Sequence, residues 1–302
     1  ECGGRIKYGH SEVGNFTKDG LCYEQNEIEF LPVPADECAY ELLVAKWIIR
    51  NLGHQEGYNI TFSPKIIVGK AGSGMHIHMR IMKDGRNMML TPERTLSVEA
   101  RKAIAGMMDL AQSITAFGNK NPMSWLRLVP HQEAPTNICW GMSNRSVLVR
   151  VPLGWTSGRD MCMEANPNEP HVERDYTSKQ TVEMRSPDGS ADIFQLLAGL
   201  HGFEMPNAEE VAEQTFADGD IHAPENAAKL AAMKALPDSC AASADCLEQQ
   251  RAVYEEYGVF SPKMIDGILK ELRAFNDRTM RDDIAGDDSK LQALVERHFH
   301  CG

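Results

Sequence analysis

Apolar and acidic residues alternate along residues 22–30, which end in Asn-Glu-Ile-Glu-Phe. Because successive side chains of a β-strand point to opposite faces, Ile28 and Phe30 share one face, and Glu27 and Glu29 share the other. The pattern therefore predicts a strand with one face in the core and one face lined by carboxylates.

Four segments carry apolar residues at the spacing of a helix. Residues 36–52 stop at Gly53, residues 96–117 stop before Gly118, and residues 190–203 form the third segment. The fourth begins at Ser261-Pro262, an N-cap residue followed by a proline at the first helical position. The predicted packed faces comprise Ala39, Leu42, Leu43 and Trp47; Ala103, Ile104, Met107, Met108, Ala111 and Ile114; Ile193, Leu196, Leu197 and Leu200; and Ile265, Ile268, Leu269 and Leu272.

Shorter β-like segments lie between these helices. Residues 59–68 and 75–82 predict two strands, joined by the glycine-rich turn 69–74. The proline-punctuated stretch 121–152 is also β-like, and 146–152 is its clearest strand.

A long excursion is predicted over residues 154–180, and residues 180–185 predict the strand that returns from it. Helices dominate after this point. No internal repeat or low-complexity linker divides the chain, so we expect one α+β domain over residues 1–302, with residues 201–302 as its helical part.

Composition narrows the class of protein. The chain has 302 residues, of which 42% are hydrophobic and 25% are charged, as in ordinary globular domains. It contains no run of 18 apolar residues and no CxxC pair among its eight cysteines, so we expect a cytoplasmic protein with no membrane span, no disulfide framework and no structural zinc.

The net charge of -12 comes mostly from residues 201–302, which hold 20 acidic and 10 basic residues. Lysine and arginine do not cluster along the chain, and a nucleic-acid groove requires a concentrated basic surface. We therefore expect no nucleic-acid partner.

The candidate chemistry centres on His76-Ile77-His78. On a strand, both imidazoles of such a pair lie on one face and can reach one cation or two neighbouring ligands. Glu27 shares a strand face with Glu29, and Glu183 shares one with Arg185, so three strands offer charged faces that could line a cleft. Surface histidines are the simpler alternative.

Four arginines lie in or beside the β-like segments, and the planar guanidinium suits phosphate and carboxylate oxygens. Carboxylates, one histidine and several arginines together are typical of a divalent metal that holds a polyphosphate during phosphoryl transfer. Ordinary surface salt bridges are the alternative for each arginine. Arg145 and Arg150 differ in strand parity, so both can face one cleft only if Arg145 lies in the turn before the strand. The four residues are Arg127, Arg145, Arg150 and Arg185.

A metal hydrolase is the competing interpretation, with His76 and His78 joined by a further histidine such as His171 or His201. It predicts more histidine ligands and fewer arginines. The glycine turn 69–74 does not follow the Walker A pattern or the dinucleotide-binding pattern, and a predicted strand rather than a helix comes after it.

Six motifs occur in an order that closely resembles the catalytic domain of glutamine synthetases. The resemblance covers about residues 1–275 without a break, and Gly258-Val-Phe260 resembles the closing helical region of the family. It implies a curved antiparallel sheet that lines the active site, with helices packed outside. The motifs are His10-Ser-Glu-Val, Gln25-Asn-Glu-Ile, Gly72-Ser-Gly-Met-His-Ile-His78, Arg127-Leu-Val-Pro-His-Gln-Glu-Ala-Pro135, Asn144-Arg-Ser146 and Glu183-Met-Arg-Ser-Pro-Asp188.

This resemblance implies an ATP-dependent ligase. ATP phosphorylates the γ-carboxylate of glutamate or a related acid, and ammonia or an amine then attacks the acyl phosphate. Two Mg²⁺ or Mn²⁺ ions are implied, one bound by Glu12 and Glu27 and the other by His76 and Glu183, and hard cations of this kind do take oxygen ligands.

The remaining site residues are also implied by the resemblance. Gly72 and Arg127 would contact the substrate acid, while His78 and Arg150 would contact the nucleotide. Three residues would be catalytic: Glu133 would close the site and take a proton from ammonium, and the arginines would stabilise the transferring phosphoryl group. These two arginines are Arg145 and Arg185.

Several residues depart from the family pattern. Ala71 stands where the family usually has asparagine, and Thr181-Val182 stands where arginines usually precede the metal glutamate. Asp188-Gly-Ser-Ala-Asp192 replaces the usual Asp-Pro-x-Ala-Asn, Glu12 and Glu27 are further apart than usual, and residues 154–180 are longer. These departures bear on amino-acid specificity and nucleotide contacts more than on the metal ligands.

The family's small N-terminal β-grasp domain, and the strand with its first metal carboxylates, are expected before residue 1. The parent protein is expected to form a ring-shaped homo-oligomer, and the chain alone is expected to be an inactive fragment. The alternative to a ligase is a catalytically inactive nucleotide-binding or scaffold protein of the same family.

Overall fold

The computed structural model describes residues 2–130, 134–152, 164–168, 170, 179–200, 207–256 and 258–301. Strands and helices both occur in the first two thirds, and the elements described in the last third are helices. The strands are β1 Ile6–Lys18, β2 Leu21–Phe30, β3 Ile77–Met79, β4 Met82–Lys83, β5 Arg86–Asn87, β6 Trp140–Met142, β7 Val149–Val151 and β8 Val182–Met184. The helices are α1 Ala35–Gln55, α2 Val98–Asp109, α3 Ala111–Gly118, α4 Pro122–Arg127, α5 Ile193–Gly199, α6 Ala208–Gln214, α7 Ala227–Ala232, α8 Cys240–Glu255, α9 Pro262–Ala274, α10 Met280–Ile284 and α11 Asp288–His298.

The central sheet has four strands in the order β3-β8-β7-β6. Strand β8 is antiparallel to both of its neighbours, whereas β6 and β7 run parallel, so the sheet is mixed rather than wholly antiparallel. A separate antiparallel hairpin is formed by β1 and β2. The predicted strands 146–152 and 180–185 are confirmed at their centres by β7 and β8.

Strand β2 confirms the predicted strand over residues 22–30, but the expected apolar core face is wrong. Ile28 is 43% exposed and Phe30 is only partly buried. The opposite face of the hairpin is the one that turns toward the body of the chain, because Gln25 on that face donates to the carbonyl of Gly72 at 2.9 Å. The carboxylate face therefore lines the interior of a cleft.

Helix α1 forms where the periodicity predicted it, and half of the predicted face packs, because Ala39 is buried in the core and Leu42 packs against it. Ala39, Lys46 and Gly53 are buried at intervals of seven residues, whereas Trp47 is 65% exposed and Leu43 is 46% exposed. A β-carbon at Gly53 would lie 2.3 Å from the side chain of Ile60, so this contact requires glycine. Apolar spacing therefore located the helix correctly, and it was right for Ala39 and Leu42 of the packed side but wrong for Leu43 and Trp47.

The predicted helix over residues 96–117 is divided into α2 and α3 at Leu110. Ser97 caps α2 by accepting a hydrogen bond from the backbone nitrogen of Ala100 at 3.0 Å. At the division, Ser113 Oγ donates to the carbonyl oxygen of Leu110 at 3.0 Å, and serine back-bonding of this kind often bends helices.

Two β-like predictions are wrong. Residues 59–68 form an irregular segment, which folds back so that Ser73 donates to the carbonyl of Pro64 at 2.9 Å. Residues 122–127 form helix α4, whose N-cap Asn121 accepts from Met123 at 2.8 Å. Asn121-Pro122 is the same start signal as Ser261-Pro262, which correctly predicted α9.

The helical last third packs onto the same core as the sheet. One cluster of buried side chains includes Met107 and Ile114 of the central helices, Met184 of β8, and Leu247 and Ile268 of the last third. Of the predicted excursion 154–180, the structure describes only residues 164–168, 170 and 179–180. Among the described helices, none is both long and apolar enough to cross a membrane.

Candidate active site

A row of three charged or polar side chains crosses the central sheet. His78 on β3 is paired in register with Glu183 on β8, and Glu183 is paired with Arg150 on β7. Directly opposite residues of neighbouring strands present their side chains on the same face. Strand pairing alone therefore places an imidazole and a guanidinium on either side of one carboxylate.

Glu183 is the centre of this arrangement, and its side chain is only 1% exposed. Its Oε2 lies 2.5 Å from Nε of Arg150, and its Oε1 lies 2.9 Å from Nδ1 of His76. His78 Nε2 and Arg185 Nε lie further from Oε1, at 3.9 Å and 3.6 Å. Every ionisable neighbour of this carboxylate that the described residues supply is thus a potential cation.

These contacts, together with burial, determine the pKa values of Glu183 and His76. Burial by itself would raise the pKa of Glu183, but the hydrogen bond from His76 and the nearby positive charges lower the pKa to about 2. Burial lowers the pKa of His76 to about 4, although Glu183 acts in the opposite direction. At neutral pH the carboxylate is ionised and the imidazole is neutral, and these are the protonation states that bind metal ions.

Arg127 is buried, and its guanidinium is directed at the backbone after β8. Nη1 donates to the carbonyl of Ser186 at 2.7 Å, and Nη2 donates to that of Arg185 at 3.1 Å. A longer contact of 3.4 Å joins Nη1 to the carbonyl of Pro187. Arg127 joins α4 to the end of β8 in addition to any contact with a substrate.

Arg185 and Arg145 lie next to each other beyond the ends of the central strands, Arg185 directly after β8 and Arg145 before β7. Arg185 Nη1 donates to the carbonyl of Arg145, and burial lowers the pKa of Arg185 to about 10. Arg145 is exposed and lies in the bend before β7, which removes the parity conflict with Arg150. The bend is held by Asn144, whose Oδ1 accepts from the backbone nitrogen of Ser146 at 2.9 Å.

The glycine-rich segment packs against these groups too closely for side chains. A β-carbon at Gly74 would lie 2.6 Å from Arg127 Nη2 and 2.7 Å from His76 Nε2. A β-carbon at Gly72 would lie 2.8 Å from the carbonyl oxygen of Pro64. The glycines therefore allow the backbone to approach the arginine and the histidine directly.

Gln25 connects the hairpin to this glycine segment. Its amide nitrogen donates to Gly72 at 2.9 Å and to Ser73 at 3.1 Å, and its amide oxygen accepts from the backbone nitrogen of Gly14 at 3.1 Å. This amide holds the acidic face of the hairpin over the cleft. The sequence contained Gln25 within a recognised motif, but its bridging role depends on a contact across 47 positions of the chain.

On the hairpin, three potential ligands converge. Glu12, Glu27 and His10 each offer a ligand atom, and these atoms all lie within 4.8 Å of one another. Burial and the neighbouring Glu12 carboxylate raise the pKa of Glu27. Sequence reasoning selected the two glutamates and missed His10, although His10 is paired in register with Glu27 and stands two positions before Glu12.

One open cleft of about 3350 Å³ is lined by all the candidate site residues that the structure describes. Its hairpin side is acidic, and its sheet side carries the arginines. Glu133, like His171 and His201, lies outside the described residues. The lining candidates are Glu12, Glu27, Gly72, His76, His78, Arg127, Arg145, Arg150, Glu183 and Arg185.

The donor sets fit divalent cations. Neighbouring octahedral ligands lie roughly 3 Å apart when metal–ligand bonds are about 2.1 Å long, and the 2.9 Å between His76 Nδ1 and Glu183 Oε1 matches this spacing. The hairpin set supplies two carboxylates that repel each other and that a cation would neutralise. The residues present are therefore able to hold Mg²⁺ or Mn²⁺ at both places.

Comparison with known proteins identifies the family of this chain. Residues 10–284 match the family model described as glutamine synthetase, catalytic domain. The chain is 29% identical over 297 residues to a glutamine synthetase of Pyrococcus abyssi, covering 96% of this chain and 60% of that protein. It is 32% identical over 270 residues to a glutamine synthetase of Mycobacterium bovis, covering 86% and 50%.

The fold is also similar to that of solved structures. A cryo-EM structure of Plasmodium falciparum glutamine synthetase superposes with a TM-score of 0.66 at 20% identity, covering 92% of this chain and 56% of that one. The chain belongs to the glutamine synthetase family and contains its catalytic domain. It spans about 50 to 60% of the length of these relatives. The α+β fold and the family predicted from the sequence are confirmed.

Proposed function

We propose that this chain supplies the catalytic wall of an ATP-dependent carboxylate–amine ligase that joins glutamate, or a related acid, to ammonia or an amine. The observation that carries the proposal is the pairing of Glu183 with both His76 and Arg150, at 2.9 Å and 2.5 Å. One carboxylate thereby connects a metal-binding imidazole to a phosphate-binding guanidinium.

The charge distribution of the cleft supports phosphoryl transfer. Phosphoryl transfer depends on positioning and on neutralising the oxygens of the transferred group. The sheet side of the cleft offers Arg145, Arg150 and Arg185 for this purpose, and the hairpin side offers Glu12 and Glu27. A triphosphate lying between the two sides would contact arginines directly and would meet the glutamates only through cations.

The reaction has two steps in this proposal. An oxygen of the substrate γ-carboxylate attacks the γ-phosphorus of ATP, the bond to the bridging oxygen breaks, and ADP leaves with the electron pair. Nitrogen then attacks the acyl carbon, the C–O bond to phosphate breaks, and inorganic phosphate departs. Glu133 is proposed, from its motif, to take the proton that the nitrogen loses.

Each side chain of the cleft has a proposed role in binding or catalysis. Arg127 orients the acid, while His78 and Arg150 contact the nucleotide. Glu12 with Glu27, and His76 with Glu183, would hold Mg²⁺ or Mn²⁺, which when bound would screen the phosphate charges. Arg145 and Arg185 stabilise the charge that develops on the transferred group.

The parent protein is proposed to be cytoplasmic and ring-shaped, as the resemblance implies. A catalytically inactive nucleotide-binding protein is the alternative, and the presence of His76, Glu183, Glu12 and Glu27 in one cleft supports the enzyme instead. The metal hydrolase alternative would require histidine ligands beyond His76 and His78, and it leaves the arginines beside Glu183 without a role.

The test uses the longest natural protein that contains this chain. We expect phosphate release that requires glutamate and an amine together, and hydroxylamine should trap the activated acyl group as a hydroxamate. His76→Ala and Glu183→Gln should each abolish the reaction, whereas His54→Ala, on the exposed end of α1, should keep it. Nucleotide binding without acid-dependent phosphate release would favour the inactive alternative.

A further inference from the structure

His10 lies between the two hairpin carboxylates. Its Nε2 is 3.4 Å from Glu27 Oε2, and its Nδ1 is 3.6 Å from Glu12 Oε1. Both distances exceed those of a well-formed N–H···O hydrogen bond, which are 2.7–3.2 Å. The imidazole thus faces both carboxylates without closing a short hydrogen bond to either of them.

These separations suit ligands of a shared ion. Around an ion with bonds of about 2.1 Å, ligand atoms lie roughly 3 Å apart when adjacent and about 4 Å apart when opposite. The 3.4 Å between His10 Nε2 and Glu27 Oε2 falls within this range. All three ligand atoms lie within 4.8 Å of one another, which is close to the span of one coordination sphere.

Backbone pairing and ring packing hold His10 in this place. His10 is directly opposite Glu27 in the hairpin, and its ring stacks on that of Tyr8 with 5.6 Å between the ring centroids. The register of the hairpin shifts between Ser11 and Asn15. Such a bulge re-aims a side chain beside a site, and Glu12 is the first residue within it.

We propose that His10 is a further protein ligand of the hairpin ion, which adds one nitrogen to the two carboxylates that the hairpin supplies. This inference rests on the proposed function for the presence of an ion at the hairpin. Imidazole suits Zn²⁺ and other later first-row metals, and sites with nitrogen ligands bind Co²⁺ more tightly than Mn²⁺, whereas carboxylates suit Mg²⁺. His10 therefore determines which metal the hairpin site selects, and it favours the later transition metals over Mg²⁺.

The first experiment detects the nitrogen ligand directly. The chain is stripped with a chelator and loaded with Mn²⁺, and pulsed EPR measures modulation from a directly bonded imidazole nitrogen. His76→Ala is the background, because it removes the imidazole of the other proposed ion. We expect the nitrogen modulation to persist in His76→Ala and to disappear in the double variant His10→Ala/His76→Ala. The control double variant, His54→Ala/His76→Ala, should keep the modulation.

The second experiment measures selectivity by titration with Co²⁺ and Mg²⁺. His10→Ala should weaken Co²⁺ binding by roughly 10- to 100-fold and Mg²⁺ binding much less. His10→Asp, which restores a third ligand as oxygen, should regain Mg²⁺ affinity without regaining Co²⁺ preference. Circular dichroism of each variant confirms that the fold is kept.

The outcomes separate this inference from the proposed function. Unchanged nitrogen modulation and unchanged Co²⁺ affinity in the His10 variants would overturn the assignment of His10 as a ligand, even in a protein that catalyses ligation. Loss of both signals in the His10 variants supports it, even in a protein that shows no ligation. Neither readout depends on turnover.

Discussion

Arg150 and Glu183 are register partners on β7 and β8, and their side chains meet with 2.5 Å between Nε and Oε2. Glu183 is almost completely buried, whereas the Arg150 side chain is 23% exposed. Removing one member of a buried pair leaves an uncompensated charge, and this commonly costs about 3–5 kcal/mol. The remaining neighbours of Glu183, His76 and Arg185, should reduce that cost.

The first prediction concerns this pair. Arg150→Met should lower the free energy of unfolding by roughly 2–3 kcal/mol, measured by urea denaturation. Arg150→Met/Glu183→Met should lose less than the sum of the two single variants, because both charges of this pair are removed together. Arg273→Met, which removes an exposed pairing with Asp245 and Glu248, is the control and should cost no more than about 1 kcal/mol. Strict additivity of the two site substitutions would contradict this account.

The second prediction concerns the glycine segment. Gly74→Ala should displace His76 and Arg127, because the added β-carbon would lie within 2.7 Å of both side chains. A displacement of about 1 Å costs up to roughly 100-fold in rate, so ligation in the full-length protein should fall by about that factor. Gly267→Ala on α9, where a β-carbon meets open space, should leave the rate unchanged. Equal rates in the two variants would show that the close packing around Gly74 has no functional role.

The third prediction concerns Lys46, which is buried and donates to the carbonyl of Gly189 at 2.9 Å. Burial, with Arg50 nearby, lowers its pKa from 10.5 to about 8. Between these values the unfolded chain binds more protons than the folded chain, so Lys46 makes stability rise with pH. At about 1.4 kcal/mol per unit, the rise amounts to at most about 3 kcal/mol.

Lys46→Met isolates this effect, because other groups that titrate at alkaline pH are common to both proteins. The difference in unfolding free energy, wild type minus variant, should increase from about pH 8 to about pH 10. Lys290→Met, which removes a lysine whose side chain is 62% exposed, is the matched control for the loss of one lysine charge. A flat difference for Lys46→Met would mean that the buried lysine keeps an ordinary pKa.

The fourth prediction concerns the acid substrate. Ala71 lines the cleft beside Gly72, and its methyl group cannot hydrogen-bond to an amino acid. Losing a hydrogen bond to a charged group costs roughly 1.5–3 kcal/mol, or about 10- to 150-fold in affinity. Ala71→Asn in the full-length protein should therefore lower the glutamate concentration needed for half-maximal rate. If wild type already saturates at ordinary glutamate concentrations and the variant is unchanged, Ala71 does not set specificity.

Sequence reasoning was most successful where strand parity determines which way a side chain points. Alternation placed Glu27 and Glu29 on a common face, and it predicted charged faces on the strands that carry His78 and Glu183, whereas the direct pairing of these two residues is set by the register. The N-cap and proline at Ser261-Pro262 predicted α9 because capping is a local property of the chain. The equivalent signal at Asn121-Pro122 lies in a segment whose other residues are β-like, and the segment as a whole therefore predicted strands instead of α4.

Features that depend on long-range packing could not be predicted in this way. The burial of Lys46 follows from the approach of Gly189, which is 143 residues away in the chain. The second role of Arg127, as a bridge to the backbone of β8, depends on acceptors about 60 positions distant. His10 lay within a recognised motif, but only the register of the hairpin sets it between Glu12 and Glu27.

The most direct test of the central claim follows one oxygen atom. The full-length protein is supplied with ATP, ammonia and glutamate labelled with ¹⁸O in the γ-carboxylate, and the released phosphate is analysed by mass spectrometry. Formation and cleavage of an acyl phosphate must transfer one carboxylate oxygen to phosphate, so we expect ¹⁸O-phosphate in proportion to the amide formed. Phosphate that carries oxygen from solvent water, and none from glutamate, would contradict the account.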